Sequence, residues 1–217
     1  GAGFFFTGVS WVYVSIHAFG YTTADLALTL TFLFCLLNAI VNALVWLFYA
    51  WVRLKRPMPL WKNSVLFACI GLLAEQLRSW IFTGFPWLYV GYSQTESLLS
   101  GWAPIAGVYG ISFVLYLSGS ALANLLLLNQ RHPASIKQSA PYQSLNQTKT
   151  TLSLCFFLVL LWLAGPLLRQ IEWTQIEEQP VSVSLIQANI SQHEKWNADM
   201  LGPVSYTHLR AHETCPY

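Results

Sequence analysis

The sequence predicts an all-α polytopic membrane helix bundle, followed by the first strand of a truncated α/β domain. Four observations carry that fold class. Of the 217 residues, 55% are hydrophobic and only 9% are Asp, Glu, Lys or Arg, against about 25% charged in an ordinary soluble domain. Mean hydropathy is +0.47, so the apolar side chains call for lipid rather than one core to hide them. Four apolar runs, residues 24–50, 64–82, 105–128 and 152–168, lie near or above the roughly 20 residues a helix needs to cross a bilayer. The last observation is a single alternating stretch, 181–190, that follows them. The net charge of +2 arises from 11 scattered basic residues. They form no continuous basic stripe, and nucleic acid is not an expected partner.

Taken in order, the chain opens on GAGFFFTGVSWVYVSI, without a starting Met or the basic region of a signal peptide, yet as apolar as a buried helix. The run 4–19 is therefore expected to be the end of a further span, and the chain to begin inside a longer protein. Thr22, Thr23, Ala24 and Asp25 have the S/T-x-x-acid form of a capping box at the head of run 24–50. Pro104 suits the first turn of the third run, where its missing N–H costs nothing. Ala106 with Gly110, and Gly119 with Ala123, are spaced for close approach of a neighbouring backbone. Gly165 and Pro166 should end or kink the fourth run.

Beyond it, VSVSLIQANI at 181–190 reads as one strand entering a sheet. A strand needs partners for its edges and its apolar face, and the sequence supplies almost nothing after Leu201. The domain that begins near residue 171 is thus expected to stop after its first element. Residues 203–217 are polar and His-rich, and read as an unrelated tail, an artefact of joining.

Loop charges give the orientation, because Lys and Arg gather on the cytoplasmic side of short loops. Loop 51–63 holds Arg53, Lys55, Arg56 and Lys62, and loop 129–150 holds Arg131, Lys137 and Lys149. Loop 83–103 between them has no Lys or Arg and only Glu96 as a charge. It is expected to face outward, with the chain after Arg169 on the same side.

Few residues in this pattern can carry chemistry. Cys35, Cys69 and Cys155 lie inside apolar runs, where the reactive thiolate is suppressed and a packing role is expected. His208 and His212, with Cys215 nearby, have a metal-like spacing, but the tail offers no surrounding fold to hold a second shell. No metal site is assigned. Glu75 and Arg78 fall three apart on one face of the second run, where an unpaired charge costs several kcal/mol. They read either as an intramembrane ion pair that orients the helix or as a site where Arg78 meets an anionic lipid headgroup. From Arg78 to Gln94 the sequence RSWIFTGFPWLYVGYSQ is rich in Trp, Tyr, Gly and Pro. An aromatic belt at headgroup depth accounts for Trp80, Trp87, Tyr89 and Tyr92. It leaves unexplained the turn that Gly84 and Pro86 would shape and the hydrogen-bonding run Tyr92, Ser93 and Gln94, which favour a lipid-handling surface.

Four stretches, WVYVSI at 11–16, LRSWIFTGFPWLYVGYSQ at 77–94, GWAPIAGVYG at 101–110 and LIQANISQHEKWN at 185–197, together resemble apolipoprotein N-acyltransferase. The resemblance runs in order through residues 1–202. It implies a multi-pass bundle in a bacterial inner membrane, residues 1–170, carrying a periplasmic nitrilase-like (carbon–nitrogen hydrolase) α/β domain that starts at 171–202. It implies transfer of an acyl chain from a membrane phospholipid to the free α-amino group of the diacylglyceryl-cysteine that begins an apolipoprotein. No cofactor or metal is implied. A Cys nucleophile forms a thioester and splits the transfer into two steps, with a Glu as base and a Lys steadying the oxyanion.

Those three residues are expected beyond residue 202. Glu194, Lys195 and Cys215 are not substitutes for them, and the chain as given, a fragment by this reading, is expected to lack activity. Substrate handling does carry over: Trp196 matches a family Trp that helps to position acyl chains, and Gly84, Pro86 and Trp87 match the TGFPW turn. Tyr92, Arg78 and Glu75 complete the expected substrate-binding set. A Trp covering a sheet edge is the alternative for Trp196. Two other readings of the whole chain stand beside this one. A transporter or channel fragment would line a pathway with Glu75 and Arg78, although the spans show no internal repeat and the Gly/Pro cluster sits at a span end. The last is a membrane anchor without activity.

Overall fold

The computed structural model describes residues 1–129, 145–174, 191 and 202, and no strand occurs among them. The expected strand 181–190, Trp196 and the tail 203–217 lie outside the described residues. Among the described residues six helices follow in order: α1 (Ala2–Gly8), α2 (Val12–Phe19), α3 (Ala24–Lys55), α4 (Leu60–Trp80), α5 (Ala103–Asn129) and α6 (Leu145–Leu168). The run 4–19 is two short helices that together are apolar enough for one broken span, and α2 turns from α- to π-helix at Ser15.

Among the described residues, three single segments, Ala24–Lys55, Leu98–Leu126 and Lys149–Leu168, are long and apolar enough to cross a membrane. With 32 residues α3 is the longest, about 48 Å at the α-helical rise. Its Leu44, Leu47 and Leu54 are exposed, as are Leu122 and Leu126 of α5 and Phe156, Leu163 and Leu167 of α6. Such an apolar exterior suits lipid and not water. The second run behaves differently. Helix α4 has 21 residues, enough to span, but Lys62, Glu75 and Arg78 keep it out of the group that qualifies by composition. It instead buries Asn63, Ser64, Ala68, Ile70, Gly71, Ala74, Glu75 and Arg78, a face built on steps of three and four residues.

The described residues fall into two compact units. One holds Gly1–Gly8 with the described part of Leu33–Trp173, and the other holds Val9–Phe32 with residues 174, 191 and 202. In the second unit the Thr22 hydroxyl donates to the Ile16 carbonyl at 2.7 Å, and His17 Nδ1 lies 2.8 Å from the Thr22 carbonyl. The hydroxyl that the capping box assigns to the start of α3 thus secures the end of α2, and it is the Thr23 carbonyl that accepts the Ala27 N–H.

In the first unit α4 packs on α5 and α6. Ala68, Leu117, Ala121 and Leu158 form one buried cluster, and Val45, Ile70 and Ala74 form a second. The small-residue spacing of α5 does not mark a contact, since nothing lies within 4 Å of a Cβ built on Gly119, and Ala123 is exposed. Close approach occurs elsewhere, at Gly101 against Gly165. Helix α5 is interrupted at Gly107, whose φ is 61° and ψ −171°. Helix α6 runs through Pro166 and ends at Leu168, so Gly165 and Pro166 do not terminate it.

Candidate functional site

Between α4 and α5 the chain passes through three 3-10 turns, Ile81–Thr83, Val90–Gln94 and Leu98–Trp102. The corner after α4 is fixed by backbone bonds: the Arg78 carbonyl accepts the Phe85 N–H at 2.8 Å and the Ile81 carbonyl accepts the Gly84 N–H at 3.0 Å. Gly84 has φ 87°, and a Cβ there would collide with the Ser79 carbonyl. Only glycine fits, because it alone enters this region without steric cost. Thr83 (φ 70°) and Leu88 (φ 61°) are also left-handed, a conformation that costs a branched or bulky residue roughly 1–2 kcal/mol. Something must hold the loop in that shape.

Glu75 and Arg78 do so. They are 0% and 7% exposed, one helical turn apart. Rather than bonding each other, each takes a backbone group of the loop. Arg78 Nη2 donates to the Leu88 carbonyl at 3.1 Å, and the Val90 N–H donates to Glu75 Oε1 at 2.8 Å. The two charges thus grip the backbone on either side of Tyr89. The Tyr116 hydroxyl donates to the same Oε1 at 3.3 Å. The Arg78 guanidinium lies 5.4 Å from the Tyr89 ring centre and 5.7 Å from that of Phe5, within cation–π range. Within this clamp two polar atoms, Glu75 Oε2 and Arg78 Nε, are buried without a partner among the described residues.

Outside this clamp the loop is aromatic. Phe85 stacks on Trp87 at 5.0 Å and meets Phe34 edge-on at 4.9 Å, while Tyr89 stacks on Tyr92 at 5.8 Å. Tyr89 is buried, its hydroxyl 3.2 Å from that of Tyr109, which is 3.3 Å from Ser79 Oγ. Burial pushes the Tyr89 phenol above its ordinary value, so it stays neutral. Trp87 and Tyr92 are 49% and 55% exposed, and Pro86 is exposed beside them. A small groove of about 60 Å³ runs between α3 and this corner, lined by Phe34, Leu37, Asn38, Val41, Arg78, Ile81, Gly84 and Phe85. Its wall is apolar except for Asn38, whose Nδ2 donates to the Phe34 carbonyl at 2.9 Å, and the edge of Arg78.

The arrangement can bind, and none of the described cysteines lines its groove. Cys35 is buried with its Sγ 3.7 Å from the Phe5 carbonyl oxygen, Cys155 is partly buried, and Cys69 is exposed on an apolar helix. Among the described residues, no group of three His, Cys, Asp or Glu gathers to hold a metal.

The structure brings Glu75, Arg78, Gly84, Pro86, Trp87 and Tyr92 into one corner; Trp196 lies outside the described residues. The direct ion pair anticipated between Glu75 and Arg78 is absent, replaced by the two bonds to the loop. Sequence reasoning missed Tyr109, Tyr116, Asn38 and the backbone of Leu88 and Val90. The helical partners sit in other runs with no local signal, and a backbone acceptor leaves no trace in residue type.

Comparison with known proteins matches residues 1–121 to the family model described as the apolipoprotein N-acyltransferase N-terminal domain. The chain is 38% identical over 202 residues to an apolipoprotein N-acyltransferase of Azotobacter vinelandii, covering 93% of this chain and 36% of that protein. It is 40% identical over 205 residues to that of Nitrosomonas europaea, with the same coverage. To the protein of that name from Coxiella burnetii it is 37% identical over 212 residues, 96% of this chain and 39% of the relative. The chain therefore spans somewhat more than a third of the length of these relatives. On the matched model and this identity, the chain belongs to the apolipoprotein N-acyltransferase family, through its N-terminal membrane domain.

Proposed function

We propose that this chain is the lipid-handling membrane part of an enzyme that moves an acyl chain from a phospholipid to the N-terminal diacylglyceryl-cysteine of an apolipoprotein. The observation that carries the reading is the aromatic loop 85–92, gripped from beneath by Glu75 and Arg78 in a chain of this family. Trp87 and Tyr92 offer flat apolar faces with polar edges to the acyl-bearing part of a lipid, the kind of surface that sits well at headgroup depth. Arg78, at the edge of the groove along α3, brings a cationic guanidinium toward a lipid ester or phosphate oxygen. Glu75 keeps that guanidinium from straying, since the carboxylate and the loop together fix where it points.

In this reading the bond-making residues implied by the resemblance, a Cys with its Glu base and Lys, belong to the nitrilase-like part, and Trp196 belongs with them on the acyl path. The cysteines of α3, α4 and α6 take no part. This chain alone forms no thioester with phospholipid. Loop 83–103 and the chain after Arg169 face the periplasm, and the bundle, with α4 as an enclosed fourth span, sits in the inner membrane.

The test is transfer of a labelled acyl group from phosphatidylethanolamine vesicles to a diacylglyceryl-cysteine peptide by the whole enzyme, with and without Trp87→Ala and Tyr92→Ala. Both side chains are half exposed, so the fold should persist. The expected result is a raised KM for phospholipid with membrane level unchanged. Unaltered kinetics in the double variant would remove the loop from lipid handling.

A further inference from the structure

The end of α6 meets the Leu98–Trp102 turn through its bare backbone. A Cβ on Gly101 would collide with the Gly165 carbonyl, and one on Gly165 with the Leu98 carbonyl, so neither position has room for a side chain. Pro166 follows at once. With no N–H to give, it leaves the Trp162 carbonyl without its ladder donor. Close to it, the Trp102 indole N–H donates to the Leu161 carbonyl at 2.9 Å. One turn further on, Arg169 uses two arms: Nε donates to Ser100 Oγ at 2.5 Å and Nη2 to the Ser97 carbonyl at 2.6 Å. Ser97 is itself fixed, its Oγ accepting the Leu99 N–H at 3.1 Å.

Arg169 is exposed. A long exposed cation ordinarily gains little from a single partner, but a planar guanidinium that meets two acceptors at once is held in orientation as well as in place. None of these residues belongs to the Glu75 and Arg78 clamp. They connect the far end of the same loop to the last turn of α6, the point from which the following chain departs.

We propose that Arg169, with the Gly101–Gly165 seam and Trp102, forms a joint that fixes the direction in which the chain leaves α6 relative to the aromatic loop. Arg169 is then a positioning residue. Its purpose rests on the acyl-transfer reading, in which whatever follows α6 must be brought into register with the lipid held at that loop. The joint itself rests on the geometry alone.

The test places spin labels at Glu96→Cys and Glu172→Cys, both exposed, in the full chain with its native cysteines replaced, reconstituted in phosphatidylcholine vesicles. The parent should give one narrow inter-label distance. Arg169→Gln should lose that narrow component, and Arg169→Lys should recover part of it because an ammonium can still reach one acceptor. Gly165→Ala should shift the mean distance by wedging the seam apart; if that variant fails to insert, Arg169→Gln decides alone. An unchanged distribution in Arg169→Gln would overturn the joint. No substrate is present, so this result is independent of acyl transfer. A sound joint with indifferent Trp87 and Tyr92 variants would instead refute only the functional reading.

Discussion

Helices α4 and α5 carry buried polar groups at both ends, and the two ends are built differently. At the end near the α3–α4 connection all are neutral. Ser64 Oγ accepts from Asn124 Nδ2 at 2.7 Å and lies 3.3 Å from Ser120 Oγ, while the Tyr49 hydroxyl donates to Asn63 Oδ1 at 3.0 Å. Asn124 also lies 3.3 Å from the Leu60 carbonyl. At the loop end the groups are charged, and two of their atoms, Glu75 Oε2 and Arg78 Nε, have no partner. Neutral bonds between membrane helices are worth about 0.6 kcal/mol on average, whereas burying a charge costs several kcal/mol by any scale. A fold that needed only to join α4 to α5 would use the first kind. The second kind does what neutral groups do poorly, which is to hold a loop backbone in a left-handed shape at Leu88 through charge-assisted bonds.

The comparison breaks first at Glu75. In Glu75→Leu the Val90 N–H and the Tyr116 hydroxyl both lose their acceptor, and Arg78 loses the nearby carboxylate. Orphaned buried donors cost about 1–3 kcal/mol each, so a total loss of about 3–5 kcal/mol is expected, in the range seen when one member of a buried charged set is removed. Unfolding by SDS titration in mixed micelles would read it. A loss no larger than that of a neutral-end variant would show that the two ends do the same job. Gly84→Ala comes next. Its φ of 87° and the Ser79 carbonyl leave no place for a methyl group, and a strained backbone of this kind costs about 1–3 kcal/mol. The loop should also become cleavable between residues 85 and 97 by added protease, with α5 and α6 still protected.

Much of this was legible in the chain itself, for identifiable reasons. Long apolar runs and the cost of unpaired backbone in lipid leave only helices, so α3, α5 and α6 could be read from composition alone. Run 64–82 reads as one span among four, yet the buried face of α4 holds Asn63, Ser64, Glu75 and Arg78. Periodicity reveals a face but not what covers it. The loop 78–94 stood out because Trp, Tyr, Gly and Pro rarely crowd together without a shaped turn. The way it is held could not be read, because Arg78 and Glu75 bond to main-chain atoms of Leu88 and Val90, which any residue could supply. The same holds for the Gly101–Gly165 seam. Its two members lie far apart in sequence, and the spacing rule points instead to Gly119, where an added Cβ would meet no described residue within 4 Å.

The smallest expected effect sharpens the comparison from the neutral side. Asn124→Ala removes the amide that donates to Ser64 Oγ and to the Leu60 carbonyl. Ser64 keeps Ser120 as a partner at 3.3 Å, so no hydroxyl is stranded, and a helical carbonyl such as that of Leu60 still has the ladder to accept from. The loss should therefore be about 0.6 kcal/mol, the average for such bonds, read by the same SDS titration. Because the site lies at the opposite end of α4, the effects of Asn124→Ala and Glu75→Leu should add within about 0.5 kcal/mol. A double variant that departs from additivity by more than that would mean that α4 transmits strain along its length, and the two ends would then have to be treated as one device.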